Sequence, residues 1–177
     1  MLIRLLLVLI SLTAVGAQEF APRPYTARQI RAAYPVGTVL TYSHWSPKGV
    51  KRTRSQVVSS LAERVEFEDC NLDESGQPGD PPTRWSASWV DLRNHATFPR
   101  NATNIHDERI KVGAGTFDCW HYIVQTDQGE RHFYFAKEKA GAPVRFETWK
   151  EGVVVSKTTL EEATIPGLTI QDPFEEL

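Results

Sequence analysis

Residues 112–149 read VGAGTFDCWHYIVQTDQGERHFYFAKEKAGAPVRFETW. Two dense runs of β-branched and aromatic residues flank a short polar turn, Asp127-Gln128-Gly129-Glu130, and a third run begins after Gly141 and Pro143. Runs of this length and spacing predict consecutive antiparallel strands. Strands joined this closely cannot be parallel, because a parallel pair needs a crossover of a dozen or more residues.

The same rhythm extends on both sides. Further strands are predicted over 36–45, 50–60, 61–70, 103–112, 144–149 and 153–160, with Glu151-Gly152 as a two-residue hairpin turn. Thr26 caps a short helix over 27–33, which Pro35 ends, and Ile30 and Tyr34 share one face of it. Ser88 with Asp91 three residues on fits a capping box, so 89–95 is read as a second short helix. Residues 71–82, NLDESGQPGDPP, cannot form a packed strand centre and are read as a connection. The fold class expected is mainly β (α+β): a single curved antiparallel sheet or half-barrel of about eight strands, with one or two short helices packed on it.

Four segments follow. Residues 1–17 are read as a signal peptide, with Arg4, an apolar run over 5–12, and Val15 and Ala17 at −3 and −1 of a cleavage site. That run is shorter than the roughly 20 residues a membrane span needs. Residues 18–35 are a lead-in with the first helix, 36–161 the β-rich domain and 162–177 a polar tail. A chain with a signal peptide belongs outside the cytoplasm, here in the periplasm. The formal net charge of −2 offers no basic field for nucleic acid. With 41% hydrophobic and 24% charged residues, the chain is neither disordered nor embedded in a membrane.

Secretion bears on Cys70 and Cys119. In an oxidising compartment they either pair as a disulfide or remain buried thiols, and sequence does not fix the distance that decides this.

No catalytic constellation is found. The chain has no GxSxG elbow, no phosphate loop and no HExxH. Asp107 and Glu108 are adjacent in a strand and therefore point to opposite faces. Pairing the hairpin about Gln128-Gly129 puts His132 opposite Gln125 and leaves His121 roughly 13 Å away at about 3.3 Å per residue. On that register they cannot share a metal. No metal, no cofactor and no enzyme activity are expected.

Strand alternation separates two faces. Trp120, Tyr122 and Val124 share one with Phe133 and Phe135, a structural wall. The other carries Cys119, His121, Ile123, Gln125, His132 and Tyr134. Apolar walls with a few polar groups characterise ligand grooves, so His121, Ile123, His132 and Tyr134 are taken as the candidate groove face. The opposing reading is that the second helix packs on it.

GTFDCWHY (115–122), RHFYFAKE (131–138) and GAPVRFE (141–147) resemble a bacterial envelope domain family of unknown function, with an AGTFxC strand, a YFA strand and a GxPV strand. WVDLRNHATFP (89–99) and IHDERI (105–110) are similar to segments that precede that pattern. The resemblance covers about 36–161. The family is similar in architecture to the periplasmic lipoprotein-localisation carriers, curved half-barrels closed by helices, although this chain has no clear set of lid helices. The resemblance implies an apolar groove and a lipid or lipoprotein partner, and it carries over no catalytic residue. The expected function is non-catalytic binding of an apolar or amphiphilic envelope molecule. The alternative is a module that docks an envelope protein through a sheet edge or the 71–82 loop, with a filled core and no small-molecule ligand.

Overall fold

The computed structural model describes residues 19–167. The expected signal segment, and the tail beyond residue 167, lie outside the described residues. One antiparallel sheet of nine strands dominates: β1 Val39–Ser46, β2 Gly49–Ser60, β3 Arg64–Leu72, β4 Thr83–Ser88, β5 Thr103–Val112, β6 Gly115–Thr126, β7 Gly129–Ala136, β8 Arg145–Lys150 and β9 Val153–Thr164. Their spatial order is β4-β3-β2-β1-β9-β8-β7-β6-β5. Two α-helices accompany them, α1 Ala27–Ala33 ahead of β1 and α2 Trp89–Asn94 between β4 and β5. The mainly β architecture is as expected, with one strand more.

The extra strand is β4. Thr83 to Trp85 are exposed, as is Ser86, and only Ala87 and Ser88 are partly covered. An edge strand of this kind has no buried face, so it lacks the apolar alternation by which a strand is recognised. Backbone pairing with β3 defines it, with Phe67 opposite Trp85 and their rings stacked at 4.5 Å.

Both helices begin where their caps require. The Thr26 side chain accepts from the Gln29 N–H while the Gln29 side chain accepts from the Thr26 N–H. Ser88 and Asp91 make the same reciprocal pair, and His95 is the C-cap that ends α2. Each box satisfies two N–H groups that a helix start otherwise leaves bare. Ile30 of α1 and Trp89 of α2 are buried, and the Trp89 indole N–H donates to Leu61 O at 3.0 Å. Full burial of one such side chain stabilises by about 1.5–3 kcal/mol.

Register shifts at Thr41/Tyr42, Val57/Ser59 and Thr148/Trp149 mark bulges in the ladder. Bulges bend and twist a strand, and here the sheet curls. The turn at Gly113 reaches β9, three strands away in the sheet order. A Cβ on Gly113 would lie 2.8 Å from Glu161 Cα and 2.9 Å from its carbonyl oxygen, so only glycine fits this approach. The Ala114 N–H then donates to Leu160 O at 3.2 Å. At the other hairpin Glu151 (φ +50°) and Gly152 (φ +76°) form the expected two-residue turn.

Cys70 lies on β3 and Cys119 on β6, with β2, β1, β9, β8 and β7 between them. Both are buried free thiols, so the disulfide weighed from sequence is not made. Compartment chemistry alone had raised the pairing, and the sheet order separates the two strands.

Candidate functional site

The helices cover the sheet face that carries Trp120, Tyr122, Phe133 and Phe135. Tyr25, in the lead-in to α1, meets Trp120 edge-on at 5.9 Å and Phe135 at 6.0 Å. Phe98, beyond α2, packs on Tyr122 and Phe133 at 5.7 and 4.7 Å. The helices do not fill the hollow of the sheet. A cavity of about 370 Å³ remains between them and strands β1, β2, β3, β4 and β7. Its size falls within the common range for small-molecule pockets.

The lining is mostly apolar and aromatic. Leu40 and Tyr42 come from β1, Phe67 from β3, Trp85 from β4 and Phe133 with Phe135 from β7; Ile30 and Leu92 close it from the helices. The polar exceptions concentrate on β2 and β3. Ser55 donates to Asp69 Oδ1 at 2.6 Å, and the Trp85 indole N–H donates to Asp69 Oδ2 at 2.7 Å. Asp69 is therefore held by two donors at the cavity wall, while Arg54 and His95 also border it. Burial holds the Tyr42 phenol well above its ordinary value, with the neighbouring Tyr34 acting in the same sense. At neutral pH both rings are uncharged, and the wall they form is suited to an apolar guest.

None of the four residues read as the groove face lines this cavity. His121, Ile123, His132 and Tyr134 stand on the opposite face of β6 and β7. Alternation told the two faces apart but not which one the helices cover, because that depends on packing between segments distant in sequence. The helix α2 does not pack on them either; it lies over the wall.

The expected separation of His121 and His132 is corrected as well. The turn is Asp127-Gln128, flanked by the pair Thr126–Gly129, which places Ile123 opposite His132 and His121 opposite Tyr134. The register differs from the expected one by two residues. A shift of two keeps every side chain on its own face, but it brings His121 Nε2 to 3.0 Å from His132 Nδ1. His121 stacks on Tyr134 at 4.0 Å and His132 on Trp149 at 5.0 Å. Burial lowers the His121 pKa, with Glu108 opposing the shift. Glu108 Oε2 lies 2.7 Å from His121 Nδ1. Asp107 points the other way, as alternation requires, and pairs with Lys137 at 2.7 Å.

The cavity residues Tyr25, Asp69 and Trp85 were not singled out in the sequence. The signals pointing to this side of the molecule were the shared face of Ile30 and Tyr34 and the wall that carries Phe133 and Phe135.

No family model matches the chain, and no curated protein matches it. Solved structures do. A crystal structure of MucB superposes with a TM-score of 0.53 at 10% identity, covering 82% of this chain and 58% of that one. MucB in complex with MucA(peri) gives 0.52 at 8% identity, over 78% of this chain and 53% of that one. The Pseudomonas aeruginosa MucA/MucB complex gives 0.52 at 9% identity, over 77% and 54%. This chain thus spans little more than half the length of those structures. At such identities the likeness is one of fold.

Proposed function

We propose that this protein binds an apolar or amphiphilic envelope molecule, a lipid or the acyl portion of a lipoprotein, without catalysing a reaction on it. The observation that carries this reading is the cavity of about 370 Å³ with its aromatic and aliphatic walls. Asp69, Arg54 and His95 supply the few polar groups that would orient a headgroup. The leader expected over residues 1–17 supports an envelope location, and the MucB-like fold supports a binding or interaction module.

Native mass spectrometry of untagged protein taken from its own envelope tests the reading. The expected result is one lipid-sized adduct per chain, reduced in the cavity-filling variant Leu92→Trp. Protein that arrives without an adduct, and takes up no fatty acid or phospholipid on titration, overturns it.

A second reading is the docking of an envelope protein. The observation in its favour is the likeness to MucB, which forms a complex with MucA(peri). Among the described residues β4 and β5 are the sheet edges open to such a partner. It would be supported by a stoichiometric protein partner retained by Leu92→Trp.

A further inference from the structure

The face opposite the cavity carries a cluster that lipid binding does not use. On adjacent strands β5 and β6, His106 stands directly opposite His121. Glu108 follows two residues later, on the same face of β5. Glu108 Oε2 lies 2.7 Å from His121 Nδ1 and 3.7 Å from His106 Nε2. One donor atom from each of the three residues lies within 4.8 Å of the others.

His121 is fixed from behind. Its Nε2 meets His132 Nδ1 at 3.0 Å, and His132 Nε2 meets Glu130 Oε2 at 2.9 Å. Gln125 holds Glu130 in turn, donating to its Oε1 at 2.8 Å. Tyr134 and Trp149 stack on the two rings.

Counting protons along this row shows what it lacks. A carboxylate only accepts, so Glu108 requires a proton on His121 Nδ1 and Glu130 requires one on His132 Nε2. The contact between the two rings requires a third. Three protons on four ring nitrogens make one imidazole a cation, although His121 and His132 are only 4% and 7% exposed. A metal ion on His121 Nδ1 removes the difficulty. His121 then donates from Nε2 to His132 Nδ1, and His132 donates from Nε2 to Glu130. Both rings are neutral and every atom in the row is partnered. An imidazole ligand whose second nitrogen is anchored to further polar groups is the usual support of a protein metal site.

We propose that His106, Glu108 and His121 form a binding site for one zinc-like divalent cation, with His132 and Glu130 positioning His121. Two imidazoles and a carboxylate suit zinc rather than calcium or magnesium, and three protein ligands leave a fourth position open. The His106 and Glu108 side chains are 49% and 40% exposed, so that position faces solvent. Zinc–ligand bonds of about 2.0–2.1 Å in a tetrahedron set donor atoms about 3.3 Å apart. The separations of 2.7 and 3.7 Å straddle that value. The adjustment falls on the exposed His106 and Glu108 side chains, and His121 need not move.

The test is isothermal titration of ZnCl₂ into untagged protein first stripped with chelator. One equivalent should bind. His106→Gln, at an exposed position, and Glu108→Gln, at a half-exposed one, should each abolish it. His132→Gln should keep the stoichiometry and weaken affinity about 10- to 100-fold. His44→Gln, on another strand, should bind as the parent does. Nitrogen-15 spectra of the imidazoles give a readout that mere packing would not move: zinc should convert His121 to the Nε2–H tautomer. The proposal is overturned if zinc fails to bind, if the H106Q/E108Q double variant binds it equally, or if the His121 tautomer is unchanged. In those cases the row is a hydrogen-bonded surface network only. The lipid measurement above is independent, because the cavity opens on the other face.

Discussion

The Tyr25 hydroxyl donates to the carbonyls of Ala136 and Lys139, the latter at 3.0 Å, and so ties the lead-in of α1 to the end of β7. Tyr25 is 5% exposed. Removing its hydroxyl in Tyr25→Phe keeps the ring between Trp120 and Phe135 but leaves a buried acceptor without its donor. The expected loss is about 1–3 kcal/mol of unfolding free energy, read as a lower urea midpoint with an unchanged slope. A change within about 0.5 kcal/mol, the scale of an inconsequential substitution, would show that this tie does not hold the helix.

His44 predicts a pH dependence. Its ring lies between Thr158 Oγ1 at 3.0 Å and Thr53 Oγ1 at 2.8 Å, and burial lowers its pKa below the ordinary 6.5. A histidine depressed in the folded state is more readily protonated when unfolded. Stability therefore falls as pH drops below 6.5, until the folded-state value is passed. His121 shifts the same way and leaves a residual slope. Between pH 7.5 and pH 5, the parent should lose more stability than His44→Asn. Equal losses in both proteins would remove His44 from the account.

The thiols should be silent until the sheet opens. Cys119 is fully buried, and burial, with Asp118 and Glu108 adding to it, pushes its thiol up to about 11. Only the thiolate reacts at an appreciable rate. In native protein at pH 8, Ellman's reagent should label Cys119 slowly at most, whereas in guanidinium it should count two thiols per chain without prior reduction. A count of zero in guanidinium would mean that Cys70 and Cys119 are bridged, which is incompatible with the sheet order found.

Where local pattern fixes structure, the sequence was sufficient. Thr26, and Ser88 with Asp91, announced both helix starts, and Glu151-Gly152 announced a turn. Alternation also sorted β6 and β7 into their two faces. What failed was information that local pattern does not hold. β4 hides because an exposed edge has no apolar period. The choice between two hairpin registers two residues apart is invisible to alternation, since both put His121 and His132 on one face. Yet it moves them from about 13 Å apart to hydrogen-bonding distance. Which face receives Ile30, Trp89 and Leu92 is decided by packing across the whole chain, and with it the side on which the cavity opens.

The strand order has a consequence for how the chain folds. Started from β5, it runs β5-β6-β7-β8-β9-β1-β2-β3-β4. Every neighbouring pair follows directly in sequence except β9 and β1, where Val39 meets Thr164. Each half can therefore zip from its own hairpins, while the seam between β1 and β9 must close the longest loop in the molecule. Loop closure of that kind slows folding far more than it lowers stability. Linking the chain after β9 to the segment that leads through α1 into β1, and reopening it between β4 and β5, would make every pairing local. The circularly permuted protein would keep the same sheet and reach it sooner.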